Sequence, residues 1–221
     1  HSDNLWLASK SLGVLKWPTI TKRFQYLSTT TKPAISQENV LAIYQDDKDD
    51  IWIGTDNGLN QYSIAEQKIQ SYFVHNRNLP PSGREVIHSI FTYDGNPNLL
   101  WLSTSDGLYI FNKKTGTMRR PKSVESSKDI LEDPWLYGVY VVNNKNIFFI
   151  NEQGHFHYDS TTGEVFELTE MNQALDLDLS FSFMGQLPNK PNTTLIATSG
   201  HLYEFNLETR QLTTIYKVQN Y

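Results

Sequence analysis

A motif of about a dozen residues recurs along this chain at nearly constant spacing, and no other feature constrains the fold as strongly. The two clearest copies are IWIGTDNGLNQY at residues 51–62 and LWLSTSDGLYIF at residues 100–111. Weaker copies occupy residues 5–17, 147–158 and 194–205. The second positions of the five copies are Trp6, Trp52, Trp101, Phe148 and Leu195, which are separated by 46, 49, 47 and 47 residues.

Each copy lies inside a unit with the same internal order. An apolar run precedes the motif, a glycine-containing turn divides most copies, and a further turn and a last strand-like run follow. The runs are short, rich in β-branched and aromatic residues, and bounded by turn-forming residues, and no helical period is evident. Four strands in a unit of this length are typical of a β-propeller blade.

The sequence therefore predicts an all-β fold, a β-propeller of four-stranded antiparallel blades with about five repeats of ~47 residues. A β-sandwich is the alternative, but it does not require the same residue on every fourth strand. Residues 1–221 are expected to form a single propeller region. The blade repeats are predicted at residues 4–39, 40–85, 86–135, 136–180 and 181–221. Because the first unit lacks a leading strand and no spare strand follows the last, we expect a stretch of a larger array, with a closed five-bladed ring as the rival.

The motif residues themselves are predicted to be structural. The large side chains of Trp6, Trp52 and Trp101 suit packing between adjacent blades. Gly58 and Gly107 stand where a tight hairpin needs a positive φ.

Composition narrows the classes of function. The chain has 19 basic and 24 acidic residues, and this balance argues against a nucleic-acid-binding face. It has no cysteine, which excludes disulfides and thiolate metal sites. No stretch approaches the ~20 apolar residues of a membrane helix, and we expect no signal peptide because a strand-like pattern begins at once.

Two pairs of titratable residues could in principle carry chemistry. His155 and His157 flank Phe156 and should share one strand face, but no third zinc ligand is evident, and a polar outer face is the favoured interpretation. Asp176 and Asp178 could act as an acid–base pair, yet alternation of Leu with Asp is typical of a half-exposed strand or a loop.

The oxygens of Asp56, Asn57 and Asp106 could bind calcium, although these residue types are also the usual turn formers, and the turn interpretation is favoured. The sequence contains no nucleophile-elbow, zinc-protease or phosphate-loop motif. We therefore predict no catalytic residue, no metal, no cofactor and no enzyme activity for this chain.

The segments that connect successive units are long, and the other turns are short. They cover residues 28–39, 75–85, 120–135 and 169–180. In a four-stranded blade, the connection to the next blade opens on the same face as the turn between the second and third strands. Long loops gathered on one face of a rigid scaffold commonly carry binding residues.

Within these connections we predict a ligand-binding site that includes His75, Arg77, Arg84, Arg120 and Trp135. An exposed tryptophan stacks on sugar rings, and arginine forks onto hydroxyl or carboxylate groups. For the arginines a solvated surface role is the alternative, and for Trp135 the alternative is a core position at a strand entry.

The second unit, NVLAIYQDDKDDIWIGTDNGLNQY, resembles the two-component regulator propeller repeat. That repeat joins an apolar strand ending in Asp to a W-I-G-T-x-x-G-L core, with an aromatic residue shortly afterwards. Residues 40–74 match this pattern closely and residues 100–111 match it well, whereas the remaining copies are degenerate.

The resemblance implies a periplasmic sensor region of a bacterial inner-membrane receptor. In the family such propellers precede an immunoglobulin-like domain, a membrane helix and a cytoplasmic output, usually a histidine kinase and sometimes a diguanylate cyclase. The resemblance further implies an oligosaccharide or other small-molecule ligand, and it leaves a homodimer open. Membrane contact is expected only through segments absent from this chain. Because the family motif is structural, it identifies no binding residues.

Two other functions stay open at this point. One is a non-catalytic scaffold for protein interaction or dimerisation, since fold alone does not determine function. The other is a propeller-fold polysaccharide lyase or glycosidase, which would need acidic or Tyr, His and Arg side chains converging on the loop face.

Overall fold

The computed structural model describes residues 4–18, 25–72, 86–93, 95–133, 136–151, 153–168, 183–187, 189–197 and 200–217. The chain divides into two compact units, His1–Arg120 and Pro121–Tyr221, called unit 1 and unit 2 below. Each unit is built from antiparallel sheets whose strands follow one another in chain order. The all-β class and the four-stranded antiparallel blades predicted from the sequence are confirmed.

Unit 1 contains three sheets, and the first of them has three strands in the described residues. The first sheet consists of β1 (Asn4–Ser9), β2 (Gly13–Pro18) and β3 (Gln25–Leu27). The second sheet consists of β4 (Val40–Gln45), β5 (Ile51–Thr55), β6 (Gly58–Ser63) and β7 (Lys68–Tyr72). The third sheet consists of β8 (Ile87–Thr92), β9 (Leu99–Thr104), β10 (Gly107–Asn112) and β11 (Thr117–Arg119).

Unit 2 contains two four-stranded sheets and one short helix in its described part. The helix α1 (Glu125–Leu131) precedes β12 (Tyr137–Val141), β13 (Asn146–Asn151), β14 (Gly154–Asp159) and β15 (Glu164–Glu167), followed by β16 (Phe183–Leu187), β17 (Lys190–Ala197), β18 (His201–Asn206) and β19 (Leu212–Lys217). No helix in the described residues is long and apolar enough to cross a membrane.

The helix α1 corrects the expectation of a chain without helices. Its Ser127 and Leu131 lie four residues apart and are each 2% exposed, so one face of the helix is buried. The amide of Val165 in β15 donates to the Ser127 hydroxyl at 2.8 Å, which fixes the helix against that strand. Seven residues make about two turns, too few for a helical period to be recognised in the sequence.

A pair of aromatic rings recurs where two neighbouring sheets of one unit meet. The second position of the motif in one sheet contacts the aromatic residue near the end of the third strand in the next sheet. The pairs are Trp6 with Tyr62 at 5.9 Å, Trp52 with Phe111 at 5.5 Å, and Phe148 with Phe205 at 5.1 Å between ring centroids. All three meet edge to face, an arrangement that adds about 0.5–1.5 kcal/mol to the burial of the rings. We call this contact the blade-to-blade aromatic pair.

The turn between the second and third strands is held by a threonine hydroxyl. Thr55 Oγ1 accepts from the amide of Asn57 at 3.1 Å and donates to the carbonyl of Gly58 at 3.0 Å. Thr104 makes the same two bonds to Asp106 and Gly107, at 3.1 and 2.9 Å. The two glycines have φ of 96° and 95°, a conformation that favours glycine. The T-x-x-G part of the motif therefore builds the hairpin.

Gly54, the glycine inside the W-I-G-T core, is needed for a different reason, which is close packing. A Cβ at Gly54 would lie 2.9 Å from the carbonyl oxygen of Ile87 and 2.8 Å from its side chain. Because Ile87 begins β8, this glycine lets the first strand of the third sheet approach β5 closely.

The turn between the third and fourth strands also repeats, and it predicts a stabilising substitution. Counted from the last residue of the third strand, the fifth residue has a positive φ in four of the described sheets. These residues are Gln67, Gly116, Gly163 and Arg210, with φ of 51°, 68°, 83° and 59°. The left-handed conformation costs a residue with a side chain about 1 kcal/mol relative to glycine. We expect Gln67→Gly to raise the free energy of unfolding by about 0.5–1 kcal/mol, measured by urea denaturation.

Gln70 supplies the matched control for this substitution. It is exposed like Gln67 and lies three residues later in β7, where the backbone is extended. Gln70→Gly should lower the free energy of unfolding by about 0.5–1 kcal/mol, because glycine weakens a strand interior. Equal effects at the two positions would contradict the explanation from φ.

Candidate functional site

The turns between second and third strands in unit 1 lie beside the segments that lead into their sheets. The amide of Asp56 donates to the carbonyl of Asn39 at 3.2 Å, and the Asn39 side-chain amide donates to the Asp56 carboxylate. In the third sheet the amide of Ser105 donates to the carbonyl of Val86 at 3.0 Å. We call this surface, with residues 36–39, 55–58, 104–107 and Arg120, the loop face of unit 1.

Arg120 is the predicted site residue that the structure places on this face. Its Nη2 donates to Asp106 Oδ2 at 2.8 Å, and its Nη1 donates to the Asp106 carbonyl. The guanidinium also lies over the ring of Tyr109, 4.1 Å from the centroid, while the Tyr109 hydroxyl donates to the same carboxylate. The side chains of Arg120 and Asp106 keep 29% and 21% exposure, so the pair is held in place and still reaches solvent.

Asp106 and Tyr109 are positioning residues that the sequence analysis did not include in the predicted ligand site. Asp106 was interpreted as a turn former, with calcium binding as the less favoured alternative, and Tyr109 only as part of a strand. Both contact Arg120 because β9 and β10 form a tight hairpin and Arg120 directly follows β11, which pairs with β10. These contacts follow from the strand register, and the sequence motif alone does not predict them. An arginine stacked on an aromatic ring loses little conformational freedom when it binds a ligand.

A histidine adds to the polar character of the loop face. His88 lies in β8, and the Asp56 carboxylate acts on it electrostatically. Partial burial lowers the pKa of His88, and the negative charge of Asp56 opposes that effect. The imidazole is therefore largely neutral at pH 7 and able both to donate and to accept a hydrogen bond.

The other predicted ligand-binding residues are His75, Arg77, Arg84 and Trp135, and they lie outside the described residues. Asp176 and Asp178 lie outside them as well. Their roles stay predictions.

One long connection departs from the expected arrangement. In unit 2 the amide of Val124 donates to the carbonyl of Gly163 at 3.0 Å, and Lys122 Nζ donates to the carbonyl of Thr161 at 3.0 Å. Residues 122–127 therefore lie against the turn between the third and fourth strands and against β15. The described part of the connection at 122–127 therefore serves to cover a sheet of unit 2, whereas Arg120 belongs to the loop face of unit 1.

Away from the loop face, a buried ion pair ties two sheets of unit 1 together. Asp46, with a side chain 2% exposed, accepts from Lys113 Nζ at 2.8 Å and from Trp52 Nε1 at 3.0 Å. The amides of Lys48 and Asp50 also donate to it. Burial alone would raise the pKa of Asp46, but the hydrogen bonds from Lys113 and Trp52 hold it below its ordinary value.

Unit 2 has a comparable ion pair. Arg210 Nη2 lies 3.1 Å from Asp159 Oδ2, and its guanidinium stacks on Phe166 at 3.8 Å. The amides of Thr161 and Thr162 donate to the other carboxylate oxygen. Burial would raise the pKa of Asp159, and these donors lower it below its ordinary value. The carboxylates of Asp46 and Asp159 are thus ionised, and hydrogen bonds and ion pairs engage their oxygens. This arrangement suits a structural role and does not suit a general acid.

His155 and His157 correct a sequence interpretation. They are 1% and 0% exposed, so they do not form a polar outer face. His157 Nε2 lies 2.8 Å from Asn146 Oδ1, and its ring packs against Phe148 and Phe205. Among the described residues no cluster of three His, Asp, Glu or Cys side chains is arranged to hold a metal ion.

Residues 34–57 match the family model described as two component regulator propeller. The matched stretch runs from the loop face through β4 and β5 to the Thr55 hairpin, and it contains Asp46, Trp52 and Gly54. The resemblance recognised in the sequence is therefore confirmed, and its motif residues are those that hold the sheets together. No curated protein matches the chain in sequence.

Solved structures share the fold at low sequence identity. The extracellular domain of BT4673 from B. thetaiotaomicron, described as a one component system, has a TM-score of 0.70 at 16% identity. The extracellular domain of BT3049 from the same organism, described as a hybrid two component system, has a TM-score of 0.67 at 16% identity. The alignments cover 99% of this chain in both cases, but only 30% and 27% of those chains.

A structure of the mitotic checkpoint complex is also similar, with a TM-score of 0.65 at 12% identity, covering 97% of this chain and 60% of that one. The same fold thus occurs in an assembly of very different function. These structural similarities establish the propeller fold, and function has to be argued from the site.

Proposed function

We propose that this chain is the ligand-sensing propeller of a bacterial membrane-bound signalling receptor, located in the periplasm. It binds an oligosaccharide or another small polar ligand and passes the change to a cytoplasmic output domain. The match of residues 34–57 to the two component regulator propeller carries the proposal. The extracellular domains of BT4673 and BT3049 support it, since each is described as part of a one or two component system.

The loop face of unit 1 supports binding of a polar ligand. Asp56, His88, Asp106 and Arg120 offer a carboxylate, a neutral imidazole and a guanidinium that is fixed by stacking. Such groups recognise hydroxyl and carboxylate groups of sugars through directional hydrogen bonds. Asp46 and Asp159, whose pKa values lie below the ordinary range, both form ion pairs with a basic residue, which favours binding without catalysis.

Thermal melting of the chain against neutral and uronic-acid-containing oligosaccharides tests the proposal. A ligand that binds only the native state at one hundred times its Kd adds about 2.7 kcal/mol. For a chain of this size that corresponds to a rise in Tm of about 5–10 °C. We expect a saturable rise with one class of oligosaccharide and no release of cleaved product during incubation.

Arg120→Ala should weaken that binding about tenfold or more, because a charged hydrogen bond contributes about 1.5–3 kcal/mol. Arg119→Ala is the matched control, since Arg119 is the neighbouring arginine, is exposed, and does not contact Asp106 in the described structure. Equal loss of binding in both variants would place the ligand elsewhere.

The scaffold alternative has its own observable. A purely interacting propeller would show no oligosaccharide-dependent shift and would associate as its concentration rises, which sedimentation would detect. The presence of the same fold in the mitotic checkpoint complex is the observation in favour of this alternative. Conversion of an oligosaccharide into shorter products would instead favour a lyase or glycosidase.

A further inference from the structure

A β-bulge interrupts the first strand of the third sheet, at the end of β8 that meets the loop face. Ile87 is paired with Thr104, and the next paired residue of this strand is Ser89, so the ladder leaves out His88. The side chain of His88 is exposed, whereas that of Ile87 beside it is buried. A bulge turns a side chain away from the regular pleat, and bulges are over-represented next to functional sites. The bulge therefore presents His88 to solvent beside the loop face.

The same bulge in the second sheet shows that the backbone does not need a histidine. There the pairing of β4 with β5 skips Leu41, which is the residue equivalent to His88. Leucine has no hydrogen-bonding side chain, so no polar side chain is required to build this bulge. The reason for a histidine in the third sheet has to lie in the groups around it.

The carboxylate of Asp56 adjoins His88. Gly54 packs on Ile87, since a Cβ there would lie 2.9 Å from the Ile87 carbonyl oxygen, and this contact brings the hairpin of the second sheet beside the bulge. The Asp56 carboxylate acts on the imidazole electrostatically. The Asn39 amide donates to Asp56 Oδ2, but in the part of the chain that the structure describes no hydrogen bond engages Asp56 Oδ1 or the ring of His88. An acceptor oxygen and a neutral imidazole thus face solvent close together.

We infer that Asp56 and His88 bind two neighbouring hydroxyl groups of an uncharged sugar ring, and that this part of the loop face rejects acidic sugars. The inference rests on the proposed sensing function and names the ligand class of the same site. The carboxylate accepts a hydrogen bond from one hydroxyl, and a neutral imidazole donates to the other or accepts from it. A carboxylate or sulfate on the ligand would instead face the negative charge of Asp56, and like charges placed together disfavour a partner.

The charges of the described loop face point the same way. It holds three acidic residues, Glu38, Asp56 and Asp106, and one basic residue, Arg120, so its formal charge is −2 while His88 is neutral. The guanidinium of Arg120 is already paired with the carboxylate of Asp106. Arg120 still offers donors to a hydroxyl group, but it does not supply an uncompensated positive charge for an acidic sugar.

Titration calorimetry of the 221-residue chain with tetrasaccharides tests the inference. Xylotetraose, mannotetraose and cellotetraose represent the uncharged class, and tetragalacturonate represents the acidic class. We expect at least one uncharged probe to bind, and tetragalacturonate to bind at least about tenfold more weakly than that probe.

Two variants assign the effect to these side chains. His88→Leu should leave the Tm of the chain unchanged, because the second-sheet bulge already holds a leucine, and should weaken binding of the uncharged probe about tenfold. Asp56→Asn keeps an acceptor oxygen and removes the charge, so the difference in affinity between the two classes should narrow about tenfold.

Leu41→Ala is the matched control, since it alters the same register position in the second sheet and removes no polar group. It should leave the affinity for the uncharged probe unchanged. His88→Ala repeats the measurement in case His88→Leu folds poorly.

The outcomes separate this inference from the function on which it rests. If no tetrasaccharide binds the parent chain, the proposed sensing of oligosaccharides fails and this inference fails with it. Binding that Arg120→Ala weakens and His88→Leu leaves intact would overturn this inference alone. A parent chain that prefers tetragalacturonate, with no change in that preference in Asp56→Asn, would overturn it as well.

Discussion

Replacement of Trp52 by alanine is expected to lower the free energy of unfolding by about 3–5 kcal/mol. The side chain is fully buried, contacts Phe111 edge to face and donates its indole N–H to Asp46. Its removal leaves a cavity between the second and third sheets and deprives the buried Asp46–Lys113 ion pair of one donor. Urea denaturation at neutral pH measures the loss directly, provided that the transition stays cooperative.

Two further variants separate the contributions. Trp52→Phe keeps most of the ring contact but loses the hydrogen bond to Asp46, so it should cost about 1–3 kcal/mol. Trp17→Ala removes the same residue type from a position that is 37% exposed, and its cost should be well below that of Trp52→Ala. If Trp17→Ala were equally damaging in the isolated chain, the buried contact at Trp52 would not be the cause.

Acidification from pH 7.5 to 4.5 is expected to remove about 2–3 kcal/mol of stability through His157 alone. Burial, the largest cause, lowers the pKa of His157 from 6.5 to about 4; Asp159 opposes this, and Arg210 and Lys145 reinforce it. The unfolded chain therefore binds a proton at a higher pH than the folded chain does. The stability that His157 contributes is fully present above pH 6.5 and is lost as the pH falls toward 4.

His157→Gln should flatten this dependence, because glutamine does not titrate and can still donate a hydrogen bond to Asn146. The free energy of unfolding is measured in urea at several pH values down to 4.5, above the range in which Asp46 and Asp159 lose their charge. An identical slope in the parent chain and in His157→Gln would show that another group controls the acid response.

The strands were predictable because their sequence signals are local. Short β-branched and aromatic runs end at turns whose Thr55 and Gly58 act on residues two or three positions away. The ion pair between Asp46 and Lys113 was not predictable, since 67 residues separate the partners and only the sheet packing joins them.

The histidines show a second limit of sequence patterns. Alternation along β14 shows that His155 and His157 share a face, but every residue of this strand is buried, so alternation does not separate core from solvent. Arg120 shows the opposite case. Its chemistry could be predicted from its residue type and its place in a long connection, whereas its support by Asp106 and Tyr109 depends on strand register.

The blade-to-blade aromatic pair has a consequence for how such a chain can change length in evolution. One partner comes from the second position of a repeat, and the other from the third strand of the repeat that follows. Each repeat thus carries both halves of the contact, one for each neighbour. A tandem duplication of one whole period would supply its own complementary surfaces at once, whereas an insertion of half a period would leave both halves mismatched.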